Sequence, residues 1–452
     1  GMAEPASINR IMAPLLERCA DAMLAQLQKA VSGMPGGRAR QLETLLVEEV
    51  VDRQRRAMVL APILPMFRPR PDGVEGIVFP AGVLPRLWKL ASSREPALLP
   101  RLDKVGPQAI RVADRICLAA AAAVRDQPDA VWPESLSTPA DRARGLTELA
   151  SSLDLVHLAR KALPSLDTWL KRPDGDQVAE LRLMIRDSAE VSADGAQQVL
   201  EILFSHLVDA VLILRILTQS SGAAGQESFL SASELAGFVD RLIAGVIERV
   251  ERVGAFKPGS GPIEPVIEDV AWCSAVLAEL EATLQLQPDS PWGRSAREAR
   301  VAISKRLSAL LRTSEKLVEV ALPLARVGIG GGMSRKAPDL EAPSNGGAVD
   351  AARTLLHLVG AVRGPAGVFG CESERKQLVE ALSLRLSRYA EEAIGAVNSG
   401  EVDDPRQALA LVNVAADYLS LIDEEEAARI VRRRAAAATR PRSGAAGDLV
   451  VA

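Results

Sequence analysis

The stretch from Asp194 to Gln219 is the most apolar helical run in the chain, and it limits what the chain can fold into. Its apolar residues cover most of the circumference of an α-helix, and such a helix must be buried in a large protein or in a membrane. At 1.5 Å per residue the run would measure roughly 36 Å, enough to cross a bilayer. Glu201, Asp209 and Arg215 lie within it, and an Asp or Arg near the bilayer centre costs about 2.5–3.5 kcal/mol. We therefore expect a buried helix at the centre of a helical protein, and no membrane span.

Composition favours helices along the rest of the chain. Of the 452 residues, 48% are hydrophobic but only 3% are aromatic, so the apolar volume comes from Ala, Leu, Val and Ile. With so few aromatic residues and so little Thr, extended strands have little to build from. The sequence predicts an all-α protein, with a dozen or more helices in stacked helical bundles or an irregular helical array.

Breaks in the helical pattern predict how the chain is organised. The Gly- and Pro-rich segment 254–262 is the clearest break in mid-chain, and 327–347 is the longest segment expected to be an irregular loop. The predicted parts are an N-terminal helical bundle (2–135), a central helical block (136–255) with the buried helix 194–219, a C-terminal helical bundle (262–440) and a flexible tail (441–452).

An internal duplication is one further hypothesis about this organisation. Residues 8–160 and 263–436 present a similar order of helices and loops, which would make them two copies of a five-helix unit around a central block. The alternative is that any helical chain rich in Ala and Leu produces such matches.

A polar stripe on the central run is the main candidate for a site. Glu201, Ser205 and Asp209 follow one another at a spacing of four residues, and His206 flanks them. One interpretation is a polar pocket inside a bundle, with His206 and Asp209 as metal ligands or as an acid–base pair. The other is a strip that reaches solvent or a satisfied buried network. Metal sites in bundles need several converging carboxylate and His side chains, and this chain has three His residues, so we predict no metal and no cofactor.

Other motifs fail on spacing. The glycines in 328–332 match no phosphate-binding loop and are interpreted as a flexible linker. Asp154 and His157 have the spacing of one half of a di-iron site, but the second half is missing. Asp403 and Asp404 are explained by the start of a helix, where acids are stabilising. No catalytic residue is predicted.

The cysteines bear on the cellular compartment. All four lie far apart in sequence, and none forms a metal-binding or redox pair. Lone cysteines on apolar faces are typical small core residues of a reducing compartment. The expected localisation is cytoplasmic.

Charge and tryptophans suggest which partners the chain could have. The net charge of −4 argues against nucleic acid. The arginines in 432–442 are either a basic arm or a solvated helix end, and we favour the second. Trp132 and Trp292 stand beside prolines and are either core residues or exposed contact residues.

Two hypotheses about function remain. The first is a non-catalytic cytoplasmic scaffold or adaptor that binds a protein partner through its helices. The second is a helical protein with an internal small-molecule or metal site near the central helix. The site would be the stripe of Glu201, Ser205, His206 and Asp209, and such a protein could be an enzyme. We favour the first. The sequence predicts no oligomeric state.

Overall fold

The structure is a computed structural model that describes residues 5–221 and 227–439. These residues form α-helices, short 3₁₀ turns and one β-hairpin, so the predicted all-α array is confirmed. Within the described ranges, no helix combines the length and the apolar character that crossing a membrane requires. Residue packing divides the chain into two compact units: unit 1 comprises residues 1–224 and 228–236, and unit 2 comprises 225–227 and 237–452. The three-part division stays a prediction, and its central block has residues in both units.

Eleven α-helices lie wholly within the described part of unit 1. They are α1 (Pro5–Glu17), α2 (Asp21–Val31), α3 (Gly37–Leu60), α4 (Val83–Arg94), α5 (Pro107–Asp126), α6 (Pro128–Val131), α7 (Pro139–Ala162), α8 (Leu166–Leu170), α9 (Gly175–Val191), α10 (Gly195–Ser205) and α11 (Ile213–Ser221). The short helix α12 (Glu227–Ser231) lies where the sequence passes from one unit to the other.

The core of unit 1 forms around α5 and α7, which pack along each other. The buried face of α5 is lined by alanines such as Ala113 and Ala120, and small side chains allow helices to approach closely. Helix α7 begins with an N-cap, since the Thr138 hydroxyl accepts a hydrogen bond from the backbone N–H of Asp141. Trp132 packs over Gly145 of this helix and is only 2% exposed, so it is a core residue.

The central run is two helices, and the prediction of one helix over 194–219 is wrong. Helix α10 ends at Ser205, a short 3₁₀ turn follows, and α11 begins at Ile213. The Arg70 guanidinium lies 4.3 Å from the Phe204 ring centroid and donates to the carbonyls of Phe204 and Leu207, at 2.6 and 2.9 Å. A cation that binds the free carbonyls at the end of a helix stabilises that end. At the start of α10, the side chain of Asp194 makes no capping hydrogen bond.

Unit 2 contains eight further helices and the hairpin. The helices are α13 (Ala236–Ala255, its first residue in unit 1), α14 (Glu264–Leu284), α15 (Pro291–Ala321), α16 (Gly347–Ala361), α17 (Arg363–Val368), α18 (Glu372–Ser399), α19 (Pro405–Leu421) and α20 (Glu425–Thr439). The strands are β1 (Leu324–Gly330) and β2 (Met333–Pro338).

The core of unit 2 is built on α18, α19 and α20, which pack against one another, while α16 lies between α15 and α19. Tyr418 of α19 is fully buried and donates its hydroxyl hydrogen to the carbonyl of Val349 on α16, at 2.7 Å. Trp292, at 7% exposed, also belongs to the interior, so neither proline-flanked tryptophan is an exposed contact residue.

The glycine-rich segment forms a hairpin, and its interpretation as a flexible linker within a loop over 327–347 is wrong. Strands β1 and β2 pair in antiparallel fashion and are joined by Gly331 and Gly332. Both glycines have positive φ, 64° and 75°. A two-residue turn with positive φ at both positions matches the right-handed twist of the strands it connects.

Helix packing counts against the duplication. In residues 8–160 the short helix α4 packs mainly on α5. Its counterpart in residues 263–436 is α16, which packs on α15 and α19 instead. Two copies of one unit would keep the same neighbours for corresponding helices.

Candidate functional site

The four residues of the predicted stripe do not share one helix face. Glu201 is buried within α10, and Ser205 donates its hydroxyl hydrogen to the carbonyl of Ile202 at 2.6 Å. His206 follows the helix end, with its Nε2 atom 2.7 Å from the Pro62 carbonyl oxygen. Asp209 lies beyond the break and is exposed. The break separates Asp209 from the other three, so a His206–Asp209 pair on a continuous helix does not form.

His206 is held in its neutral form. Its burial lowers its pKa below the ordinary value of 6.5, since an imidazolium is poorly solvated there, and the hydrogen bond to Pro62 only partly opposes this. The neutral ring donates from Nε2 to the carbonyl and joins α10 to the turn after α3.

We expect unit 1 to lose stability as the pH falls below about 6.5. In the unfolded chain His206 takes up a proton near its ordinary pKa, whereas in the folded chain it stays neutral to lower pH. The stabilisation is therefore complete above that pKa and is lost progressively as the pH falls towards the folded pKa. The variant His206→Gln keeps an N–H donor for Pro62 but does not titrate. Its free energy of unfolding in urea should change less than that of wild type between about pH 7.5 and about pH 5.5; equal changes would contradict the assignment.

The second hypothesis, an internal site near the central run, gains no support from the small cavity that residues of α7, α8 and α9 line. A cavity of about 50 Å³ lies beside Trp169 and Met184, with none of the four stripe residues in its lining. That volume holds little more than one or two water molecules. Among the residues that the structure describes, no three His, Cys, Asp or Glu side chains are placed to hold a metal ion together. Asp154, the acid of the half-site motif, is paired with Arg125.

Cys117 and Cys273 are buried and are not poised for chemistry. Burial raises the pKa of Cys117 to about 12, and the pKa of Cys273 to about 12 as well. Because the thiolate is the nucleophile and the metal ligand, these thiols are inert at neutral pH.

A groove on unit 2 has the features of a binding surface. It encloses about 790 Å³ between the β-hairpin, the end of α18 and the link from α18 to α19. Its half-buried apolar lining residues are Ala337, Leu340, Ala396 and Val402, and the exposed Val327 lies at its edge. This volume falls within the range of pockets that take drug-sized ligands, about 300–1,000 Å³.

The outer lining of the groove is acidic. Five carboxylates line it against one guanidinium, that of Arg335. The carboxylates are those of Glu341, Glu392, Glu401, Asp403 and Asp404. Asp404 caps α19 by accepting hydrogen bonds from the N–H groups of Arg406 and Gln407, at 3.2 Å each. The other four make no ion pair with any residue in 5–221 or 227–439. We call this surface, the apolar lining with its acidic residues, the acidic groove.

The hairpin beside the acidic groove exposes apolar side chains. Val327, Ile329 and Met333 are 42, 55 and 67% exposed. No third strand pairs with β1 or β2 in the part of the chain that the structure describes. An exposed apolar patch next to unpaired strand edges is typical of a surface that binds another chain.

The acidic groove was not predicted from the sequence, although its hairpin could have been. Its hairpin has a local signal, two glycines between alternating apolar residues, which favours a two-residue turn. Its acids carry no such signal, because residues 341, 392 and 401–404 meet only when α18 and the hairpin pack together. The prediction that Asp403 and Asp404 mark the start of a helix is confirmed for Asp404, which caps α19.

The basic segment after residue 431 divides into two parts. Arg432 pairs with Asp417 at 3.2 Å and Arg434 with Glu391 at 2.6 Å, so both belong to the surface of the helical core. Arg440 and Arg442, and the predicted tail 441–452, lie outside the described residues.

Comparison of the chain with protein-family models, curated proteins and solved structures finds no match.

Proposed function

We propose that the chain is a non-catalytic scaffold or adaptor whose acidic groove binds an extended basic segment of a protein partner. The observation that carries this proposal is the set of four carboxylates that lie above an apolar lining and make no ion pair within the described part of the chain. Such a lining is satisfied by a peptide that alternates apolar and basic side chains, since successive side chains of an extended strand point to opposite sides.

The hairpin supports an extended ligand over a helical one. Its strand edges offer backbone N–H and C=O groups to a further strand, and main-chain hydrogen bonds give affinity in strand addition. Val327 and Met333 would cover apolar side chains of the ligand. Glu401 and Asp403, which are exposed, would face its Arg or Lys residues and favour rapid association.

A labelled peptide tests the proposal. The probe is a fluorescein-labelled octapeptide of alternating Arg and Val, titrated with the full chain in low salt and followed by fluorescence anisotropy. We expect saturable binding that weakens with salt, since exposed charge pairs are screened. The variant Glu401→Lys/Asp403→Lys should bind about tenfold more weakly, because it replaces two attractions by two repulsions worth about 1.4 kcal/mol in all.

Two features of the design isolate the acidic groove. Asp404 is kept, because its carboxylate caps α19 and its loss would disturb the fold. The matched control is Glu248→Lys/Glu251→Lys, an equal charge change on exposed positions of α13, which contributes no residue to the groove. If the groove variant binds the probe as tightly as wild type and the control, the proposal is wrong.

A further inference from the structure

Helix α20 ends at about the same level along α18 as the acidic groove. The links 400–404 and 422–424 are short, so α18, α19 and α20 alternate in direction and α20 runs parallel to α18. The ion pair between Arg434 and Glu391 fixes the register of the two helices. Five further residues at 1.5 Å each then bring Thr439 about level with Ala396, which lines the groove.

The residues that follow Thr439 are complementary to the acidic groove in charge and in apolar character. Their sequence, RPRSGAAGDLVVA, begins with Arg440 and Arg442 and closes with the apolar run Leu449–Val451. Pro441 disfavours continuation of the helix. Thirteen extended residues reach about 40 Å. The groove begins at about the level along α18 where α20 ends, so this segment is long enough to reach it.

We propose that residues 440–452 of the same chain occupy the acidic groove when no partner is bound. The two arginines lie against Glu392, Glu401 and Asp403, and Leu449–Val451 covers the apolar side chains of the hairpin. This inference rests on the proposed function of the groove, and it makes the bound segment an intramolecular competitor of the partner.

Tethering gives even a weak contact a measurable effect. A short flexible link holds its segment at an effective concentration of about 1 mM or more. If the free segment bound with a Kd of about 100 µM, the tethered segment would weaken partner binding by about tenfold. A partner with higher affinity or local concentration would displace it.

The test uses the alternating Arg–Val probe on full-length chains. The variant Arg440→Glu/Arg442→Glu should bind the probe about tenfold more tightly than wild type, because the competitor is released. The matched control Arg38→Glu/Arg40→Glu makes the same charge change with the same spacing at exposed positions of unit 1, and it should bind as wild type does. The variant Leu449→Ser/Val450→Ser/Val451→Ser adds no charge and should also bind more tightly.

The outcomes separate this inference from the proposed function. Equal probe affinity in all four chains overturns the intramolecular occupancy and leaves the groove function intact. If no chain binds the probe, the proposed function fails. In that case a labelled peptide with the sequence of residues 440–452 decides the occupancy: binding to the Arg440→Glu/Arg442→Glu chain and not to wild type supports it, and binding to neither overturns it.

Discussion

Arg160→Met is expected to lower the free energy of unfolding of unit 1 by about 3 kcal/mol. Arg160 on α7 donates to the carbonyls of Met58 and Val59, at 2.8 and 2.5 Å, in the last turn of α3. Its Nε also donates to Asp114 of α5 at 2.9 Å. The side chain is only 14% exposed, so little water can replace these bonds. Methionine fills a similar volume but removes the donor to the Met58 carbonyl and the Asp114 carboxylate. It leaves the Val59 carbonyl with the weak Cys117 thiol donor alone.

Two variants calibrate that loss. Arg160→Lys keeps the charge but has one ammonium in place of the planar fork, so it should recover less than half of the stability. Arg144→Met removes a pair with Asp141 on the same helix in which both side chains are more than half exposed, and it should change stability by less than about 0.5 kcal/mol. Urea unfolding measures the size of each effect, and hydrogen exchange in α3, α5 and α7 locates it. A loss at Arg160 no larger than that at Arg144 would show that the bonds to α3 contribute nothing.

Gly360→Ala is expected to destabilise unit 2 by about 3 kcal/mol. A Cβ atom at this position of α16 would lie 2.0 Å from the Leu421 carbonyl oxygen at the end of α19. The obstacle is backbone, so rotating a side chain does not relieve it and the two helices must separate. Separation would also strain the bond from the Tyr418 hydroxyl to Val349, which joins the same two helices.

The control for Gly360→Ala is Gly254→Ala on α13. No atom lies within 4 Å of a Cβ built there, and the residue is helical. Alanine should therefore leave stability unchanged or raise it by up to about 1 kcal/mol. Thermal unfolding of both variants decides the matter: similar melting temperatures for the two would mean that α16 and α19 are less closely packed than the structure has them.

Local chemistry at helix starts was readable from the sequence. Asp404 begins α19 as predicted, and Thr138 begins α7 in the same way, because an N-cap bonds to N–H groups only two or three residues away. The break within the central run was not predicted, for the opposite reason. The Phe204 carbonyl at the end of α10 accepts a hydrogen bond from Arg70, which lies 134 positions earlier in the chain. No local sequence pattern indicates that partner.

Arginine shows the same contrast. Arg outnumbers Lys roughly fourfold in the sequence, which by itself indicates no role for any one of them. In the structure Arg53, Arg70, Arg160 and Arg306 each donate to two or more backbone carbonyls at or just beyond the end of a helix. A guanidinium has five donors in a rigid plane and suits this role better than an ammonium.

The sequence by itself determined that this protein is a helical array, because helical periodicity, the scarcity of aromatic residues and the caps all act over a few neighbouring residues. Only the tertiary structure decided that the most apolar run is two helices, that the glycine hairpin packs beside α18, and that scattered acids form a groove. Those outcomes depend on packing between residues tens of positions apart, and such contacts leave no periodic trace in the sequence.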